Sequence, residues 1–130
     1  MPRTMQALAG LAILLAGARL GAAPANDNFA DRILLSGASG RATGTNVSAT
    51  RQSGEPDHAG NRASRSVWWK WVAPSDGTAT FDTAGSAFDT IISISTGQSL
   101  TGLESIVEND AGALGSDCVA IFPVTAGGYK

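Results

Sequence analysis

Few residues of this chain carry side chains that could perform catalysis. Among its 130 residues, His58 is the only histidine and Cys118 the only cysteine. A cysteine nucleophile or a Ser-His-Asp triad would have to use His58, which lies in a Gly-rich polar segment with no matching motif around it. The sequence also lacks a Gly-x-Ser-x-Gly elbow, a His-Glu-x-x-His zinc motif and a phosphate-binding glycine loop. An independent hydrolase is therefore the least favoured function class.

The aromatic residues indicate either a core or a binding surface. All three tryptophans, Trp68, Trp69 and Trp71, fall within four residues. A strand of this composition, closed by a proline and an Asp-Gly turn, predicts the centre of a β-hairpin. Side chains alternate along a strand, so Trp69 and Trp71 share one face and Trp68 lies on the other. Because two indole rings bury a large apolar area, we expect Trp69 and Trp71 in the core.

Trp68, on the opposite face, is the candidate for a ligand-binding platform. The long polar loop 46–65 precedes it and carries Glu55 and His58. An amphipathic ring beside polar groups is suited to holding a sugar or a protein segment. The candidate binding residues are therefore Trp68, Glu55 and His58.

The first 25 residues have the pattern of a secretory signal peptide. Arg3 supplies a positive charge, and the apolar stretch that follows, about fourteen residues, is short for a membrane span. Ala23-Pro24-Ala25 fits an Ala-x-Ala cleavage site, so the exported chain would begin at Asn26. The alternative is an uncleaved N-terminal anchor. Both interpretations place the rest of the protein outside the cytoplasm, secreted or at the cell surface.

Residues 26–130 predict a single all-β domain. Short β-like runs bounded by Gly, Asp, Asn or Pro recur at the spacing of a sandwich or barrel; they are 67–73, 78–83, 90–96, 105–108 and 118–124. One or two helical turns over 26–36 and a short strand near 41–46 are predicted before them. No helical pattern of ten residues follows the leader, which excludes alternating β and α units.

Alternation within these runs predicts the inward-facing residues. Ala79 and Phe81 share a face, and so do the isoleucines Ile92 and Ile94. The run 118–124 is apolar on both faces, so we expect both to be covered. Cys118, at its start, is interpreted as a small buried residue, with a disulfide to another chain as the alternative.

The net charge of the chain and the distribution of its basic residues argue against anionic partners. The net charge is −2, and it becomes more acidic when Arg3 and Arg19 leave with the leader. Only Lys70 and Lys130 are lysines, and the remaining arginines are scattered. Binding to phosphate groups requires clustered Lys and Arg, so neither nucleic acid nor an anionic membrane surface is an expected partner.

Several blocks taken together resemble the bacterial pre-peptidase C-terminal domain family. In chain order they read Asn-Asp-Asn-Phe-Ala-Asp at 26–31, Gly-Glu-Pro-Asp-His-Ala-Gly at 54–60, Ser-Val-Trp-Trp-Lys-Trp-Val-Ala-Pro at 66–74, Thr-Phe-Asp-Thr at 80–83 and Phe-Asp-Thr at 88–90. Their order and spacing match from Asn26 onward. The resemblance implies an antiparallel, jelly-roll-like β-sandwich. Such modules are appended to secreted peptidases or repeated in surface proteins, and they are not themselves catalytic.

The chain departs from that family in two places. Many relatives carry a cysteine where Ala84 stands here, so the disulfide of some relatives is not expected. The family pattern also continues past Tyr129 into a last strand, whereas this sequence ends at Lys130. We therefore expect a fragment of a longer parent protein, a sandwich with its last strand or strands missing and an open sheet edge.

The resemblance also makes calcium a candidate cofactor. Some collagen-binding relatives hold calcium through an acidic, Asn-rich N-terminal segment, and calcium takes six to eight oxygen ligands. The EF-hand spacing is absent, and the alternative is that the N-terminal cluster caps a helix. The candidate ligands are Asn26, Asp27, Asn28 and Asp31, with Glu55 and Asp57 from the long loop.

Two function classes remain ahead of the hydrolase. The first is a non-catalytic extracellular accessory module that serves tethering or adhesion, with other domains of a parent protein, an extracellular protein or a polysaccharide as partners. The second is a carbohydrate- or protein-binding module that uses Trp68 and the long loop as its platform.

Export gives the first testable prediction. Because cleavage after Ala25 removes the leader, N-terminal sequencing of material collected outside the cytoplasm should read Asn-Asp-Asn-Phe. Recovery of only the full-length chain, confined to the cytoplasm, would contradict it.

Overall fold

A computed structural model of the chain describes residues 2–9, 21–62, 65–110 and 117–127, with backbone alone for 2–9. The described part is all-β, as the sequence predicts, and its only helical elements are two short 3₁₀ turns. No helix in it is long and apolar enough to cross a membrane. The strands are β1 (Pro2–Ala9), β2 (Ile33–Leu35), β3 (Ser66–Val72), β4 (Gly77–Asp82), β5 (Thr90–Thr96), β6 (Glu104–Asp110) and β7 (Val119–Val124).

The strands form two sheets. The larger has five strands in the order β2-β3-β1-β5-β6, and the smaller pairs β4 with β7. All pairings are antiparallel except that of β2 with β3, which is parallel. The central strand β1 lies within the segment predicted to be a leader. Its neighbours β3 and β5 are thus joined through residues 2–9, while cleavage of that segment stays a prediction.

The aromatic strand is not the arm of a hairpin. Both edges of β3 are occupied, by β1 and β2, so β4 has no free edge of β3 with which to pair. The turn between them instead carries the chain across to the other sheet. There the Asp76 carboxylate accepts a hydrogen bond from the Ala126 N–H at 2.7 Å, which fixes the turn beside the end of β7. Gly77 has φ of +153°, which a residue with a side chain rarely adopts.

The two sheets pack over one apolar core, which is consistent with a β-sandwich. The Trp71 ring of the large sheet meets Phe81 of the small sheet edge to face, with centroids 5.3 Å apart. Phe81 in turn stacks on Phe122 at 5.7 Å. The buried members of this core are Trp71, Ala73, Ala79, Ile92, Ile94, Cys118, Ala120, Phe122 and Val124.

Both tryptophans predicted to be core are core. Trp69 is 6% exposed and Trp71 is 8% exposed. Trp69 packs in a second cluster with Ala49 and Val67. The loop before β3 closes over its ring at Gly44, where an added Cβ would lie 2.9 Å from the indole. Only glycine allows this close an approach.

The last described strand is covered on one face alone, contrary to expectation. Ala120, Phe122 and Val124 point into the core, whereas Val119 is 44% exposed and Ile121 61% exposed. The small sheet has one face toward the large sheet and one toward solvent, so its second face stays open. Cys118 is buried, as expected, and its thiol donates to the Thr90 carbonyl.

The N-terminal region also differs from its prediction. Instead of one or two helical turns over 26–36, it has a single 3₁₀ turn, Phe29–Asp31, without a side-chain cap from Asn28. Ile33–Leu35 then extends to pair with β3, because the edge of the aromatic strand offers backbone partners that a helix would leave unused. No strand forms over 41–46. The strand expected to begin at Tyr129 lies outside the described residues.

A core truncation tests this packing. Trp71→Ala removes the ring that joins the two sheets and should lower the free energy of unfolding by about 3–5 kcal/mol, measured by urea denaturation. The matched control is Ile121→Ala on the exposed face, with an expected change within about 0.5 kcal/mol. Equal effects of the two substitutions would show that the sheets do not pack through Trp71.

Candidate functional site

The predicted binding residues meet beneath the long loop that precedes β3. Trp68 lies on the face of β3 opposite Trp69 and Trp71, and it is 0% exposed. Its ring lies edge to face with Phe29 of the 3₁₀ turn at 5.1 Å and with His58 of the loop at 6.1 Å, measured between ring centroids. The large sheet is thus covered on both faces, by the small sheet on one side and by loop on the other.

Asn26 attaches the loop to the aromatic strand. The backbone N–H of Trp68 donates to the backbone carbonyl of Asn26 at 3.0 Å. The Asn26 side-chain amide donates to the backbone carbonyl of Trp68 at 2.9 Å. These bonds pair the β3 backbone at Trp68, one residue before its pairing with β2 begins at Trp69. Asn26 therefore acts as one further residue of strand pairing.

Two more side chains join the segment before β2 to the loop 46–65. Asp27 accepts from the Thr50 N–H at 2.6 Å and from the Thr50 hydroxyl at 2.8 Å. The Gln52 side-chain carbonyl accepts from the Phe29 N–H at 2.6 Å. The two bonds to the Asp27 carboxylate are charge-assisted and stronger than neutral ones, so the segment before β2 is held firmly to the loop 46–65.

His58 lies between two carboxylates. Its Nε2 is 3.2 Å from Glu55 Oε1, and its Nδ1 is 4.0 Å from Glu108 Oε1. Glu108 also accepts from the Ser93 hydroxyl at 3.1 Å and from the Ala59 N–H at 2.9 Å. We call the group Glu55, His58, Ser93 and Glu108 the polar cluster. It joins the loop to β5 and β6.

The polar cluster contains acid, base and hydroxyl groups, but its geometry suits positioning. Glu55 is 3% exposed and His58 1% exposed, so a substrate has no direct access to them. The Ser93 hydroxyl is bonded to Glu108, whereas a nucleophile would need to be bonded to the imidazole. Glu55 is also engaged by the Gln52 N–H at 3.0 Å. The cluster accordingly fixes the loop over Trp68.

The sequence predicts two members of the polar cluster as site residues, Glu55 and His58, but not the other two. Trp68, Glu55 and His58 are neighbours, as a shared site requires, yet all are buried and do not form an open platform. Glu108 and Ser93 received no role from the sequence because their relevance depends on register, which places them opposite one another on β6 and β5. Alternating polar residues along those strands are the one signal that could have marked them.

The six calcium candidates lie in different surroundings. Asn26 and Asp27 are buried in the contacts described above, and Glu55 faces His58. Asn28 donates to Asp31 at 3.3 Å on the surface, and Asp57 is exposed elsewhere on the loop. Among the described residues, no three His, Cys, Asp or Glu side chains converge on a point that could hold a metal ion. Calcium binding stays a prediction.

An open cleft of about 800 Å³ lies on the other side of β3. The loop 36–46, β3 and β4 form its walls, and Arg41 and Asp82 are among its lining residues. The Trp71 indole N–H donates to the Gly37 carbonyl at 2.9 Å, which holds the loop across the ring. Trp69 and Trp71 therefore form the floor of the cleft and present little ring surface.

The chain was compared with models of protein families, with curated proteins and with solved structures, and none of the three comparisons found a match.

Asp27 provides a test that separates a structural carboxylate from a calcium ligand. Asp27→Ala removes both acceptors of Thr50 from a buried position and should lower stability by about 2–3 kcal/mol with or without calcium. The control is Asp57→Ala, at an exposed position of the same loop, with little expected effect. A rise in melting temperature on adding calcium that is lost in Asp27→Ala would instead establish a calcium site there.

Proposed function

We propose that this chain is a non-catalytic accessory β-sandwich module of an exported bacterial protein, serving tethering or adhesion. The observation that carries the proposal is the use of the aromatic strand. Trp68, Trp69 and Trp71 are 0%, 6% and 8% exposed, so the residues best suited to bind or process a ligand stabilise the two layers around β3. The resemblance of five sequence blocks to the pre-peptidase C-terminal domain family supports the same proposal.

The polar cluster supports a role without catalysis. Its imidazole and carboxylates are hydrogen-bonded to the loop backbone and to each other beneath Trp68. Catalytic groups need reach to a substrate, whereas these groups hold a loop in place. The proposed partners are an extracellular protein or a polysaccharide, together with other domains of a longer parent.

The alternative is a carbohydrate- or protein-binding module, and the cleft between loop 36–46 and β4 favours it. That cleft combines the charged side chains of Arg41 and Asp82 with an apolar floor, a mixture that small-ligand sites share. In this alternative the ligand contacts the cleft, and Trp68 does not take part.

A sedimentation assay distinguishes these functions. The exported chain is mixed with insoluble collagen, chitin or cellulose, and we expect saturable retention without release of soluble peptides or sugars. Turnover that is lost in His58→Ala while the variant keeps its melting temperature would show an enzyme and overturn the proposal. Retention that falls at least tenfold in Arg41→Ala but not in Arg62→Ala, an exposed arginine outside the cleft, would establish the binding-module alternative.

A further inference from the structure

Strand β4 borders the open cleft along an edge that no strand covers. In the small sheet β4 pairs with β7 on one side. Among the residues that the structure describes, no strand pairs with its other edge. All six residues of Gly77–Asp82 line the cleft. The cleft is therefore bordered by a row of main-chain N–H and C=O groups, which is the usual template for pairing with a further strand.

The dimensions of the cleft match one added strand. Six residues of strand extend for about 20 Å. A volume of about 800 Å³ spread over that length gives a cross-section of about 40 Å², close to the ~48 Å² set by strand and sheet spacings of about 4.8 and 10 Å. The opposite wall begins with the small residues Ser-Gly-Ala-Ser-Gly at 36–40. An added Cβ at Gly40 would meet no heavy atom within 4 Å beyond its own chain neighbours.

We propose that the cleft binds an extended peptide segment, which adds to the free edge of β4 as a third strand of the small sheet. Donors and acceptors that alternate along a strand edge are complemented over their whole length by another extended backbone. The inference rests on the binding role within the proposed function and narrows the partner to a segment of protein.

The burial of the aromatic rings favours a peptide over a sugar. Trp69 and Trp71 line the cleft, but they are only 6% and 8% exposed. The Trp71 indole N–H is also bonded to the Gly37 carbonyl of the opposite wall. A sugar held by stacking needs an open ring face, which neither tryptophan presents. The edge of β4, in contrast, offers main-chain groups along the full length of the cleft.

The position of the added strand determines which of its side chains meet the protein. Side chains alternate along a strand, so every second one would point toward the large sheet. There Leu35, Val67 and Trp69 line the cleft with apolar groups. The remaining side chains would point to solvent, as those on the outer face of β4 and β7 do. A segment that alternates apolar with polar residues therefore fits the site.

Titration calorimetry with the full chain tests the site. The probe is a capped hexapeptide of alternating valine and threonine, and we expect saturable binding with 1:1 stoichiometry. Only alternate N–H groups of a bound edge strand point toward its neighbour. Methylation of one alternate set of the peptide's backbone nitrogens should weaken binding about tenfold or more, because it removes several main-chain hydrogen bonds. Methylation of the other set should leave the affinity within about twofold.

A variant of the protein locates the binding. Gly40→Trp places a ring in the open space of the cleft, so it should weaken binding of the peptide about tenfold or more by a direct clash. The matched control is Asp57→Trp, which adds the same ring at an exposed position outside the cleft and should bind as the parent does. Both variants should keep the melting temperature of the parent.

Four results would overturn the proposal. They are no saturable binding at millimolar peptide, equal binding of the two methylated peptides, and binding of cellohexaose that Gly40→Trp abolishes while the peptide does not bind. The fourth is hydrogen-exchange protection of every β4 amide in the free chain, because residues 41–46 would then pair with β4 themselves. The sedimentation assay tests the proposed function separately, since retention on an insoluble matrix does not require this cleft.

Discussion

The requirement that β3 be covered on both faces determines most of this structure. Three tryptophans within four residues place large rings on opposite sides of one strand, and neither side can remain in water without losing a large apolar burial. The small sheet covers Trp71 through Phe81 and Phe122. The 3₁₀ turn covers Trp68 through Phe29, and the long loop covers it through His58. A polar, Gly-rich segment thus serves as the second covering layer.

A polar loop can cover an indole ring only if its own polar groups find partners. Asn26 supplies two bonds to the Trp68 backbone, and Asp27 binds the backbone and hydroxyl of Thr50. The Glu55–His58 pair then fills the space beside the ring. Asn26, Asp27 and Glu55, which the sequence offers as candidate ligands, thus make hydrogen bonds that hold the segments covering Trp68.

Residues 2–9 provide the central strand of the large sheet. β1 pairs with β3 along one edge and with β5 along the other, so each of these strands has one edge paired to this segment. The same residues lie in the segment whose composition predicts a leader, and its cleavage stays a prediction.

The sequence by itself determined the all-β class, the positions of the main strands, and the burial of Trp69, Trp71 and Cys118, because alternation and turn residues act locally. Only the tertiary structure decided that β3 and β4 belong to different sheets, that Ile121 faces solvent, and that Ile33–Leu35 is a strand. Each of these depends on which edges and faces are already occupied by distant segments. The same reason explains the polar cluster: Glu55 and Glu108 are far apart in the chain, and strand register brings both to His58.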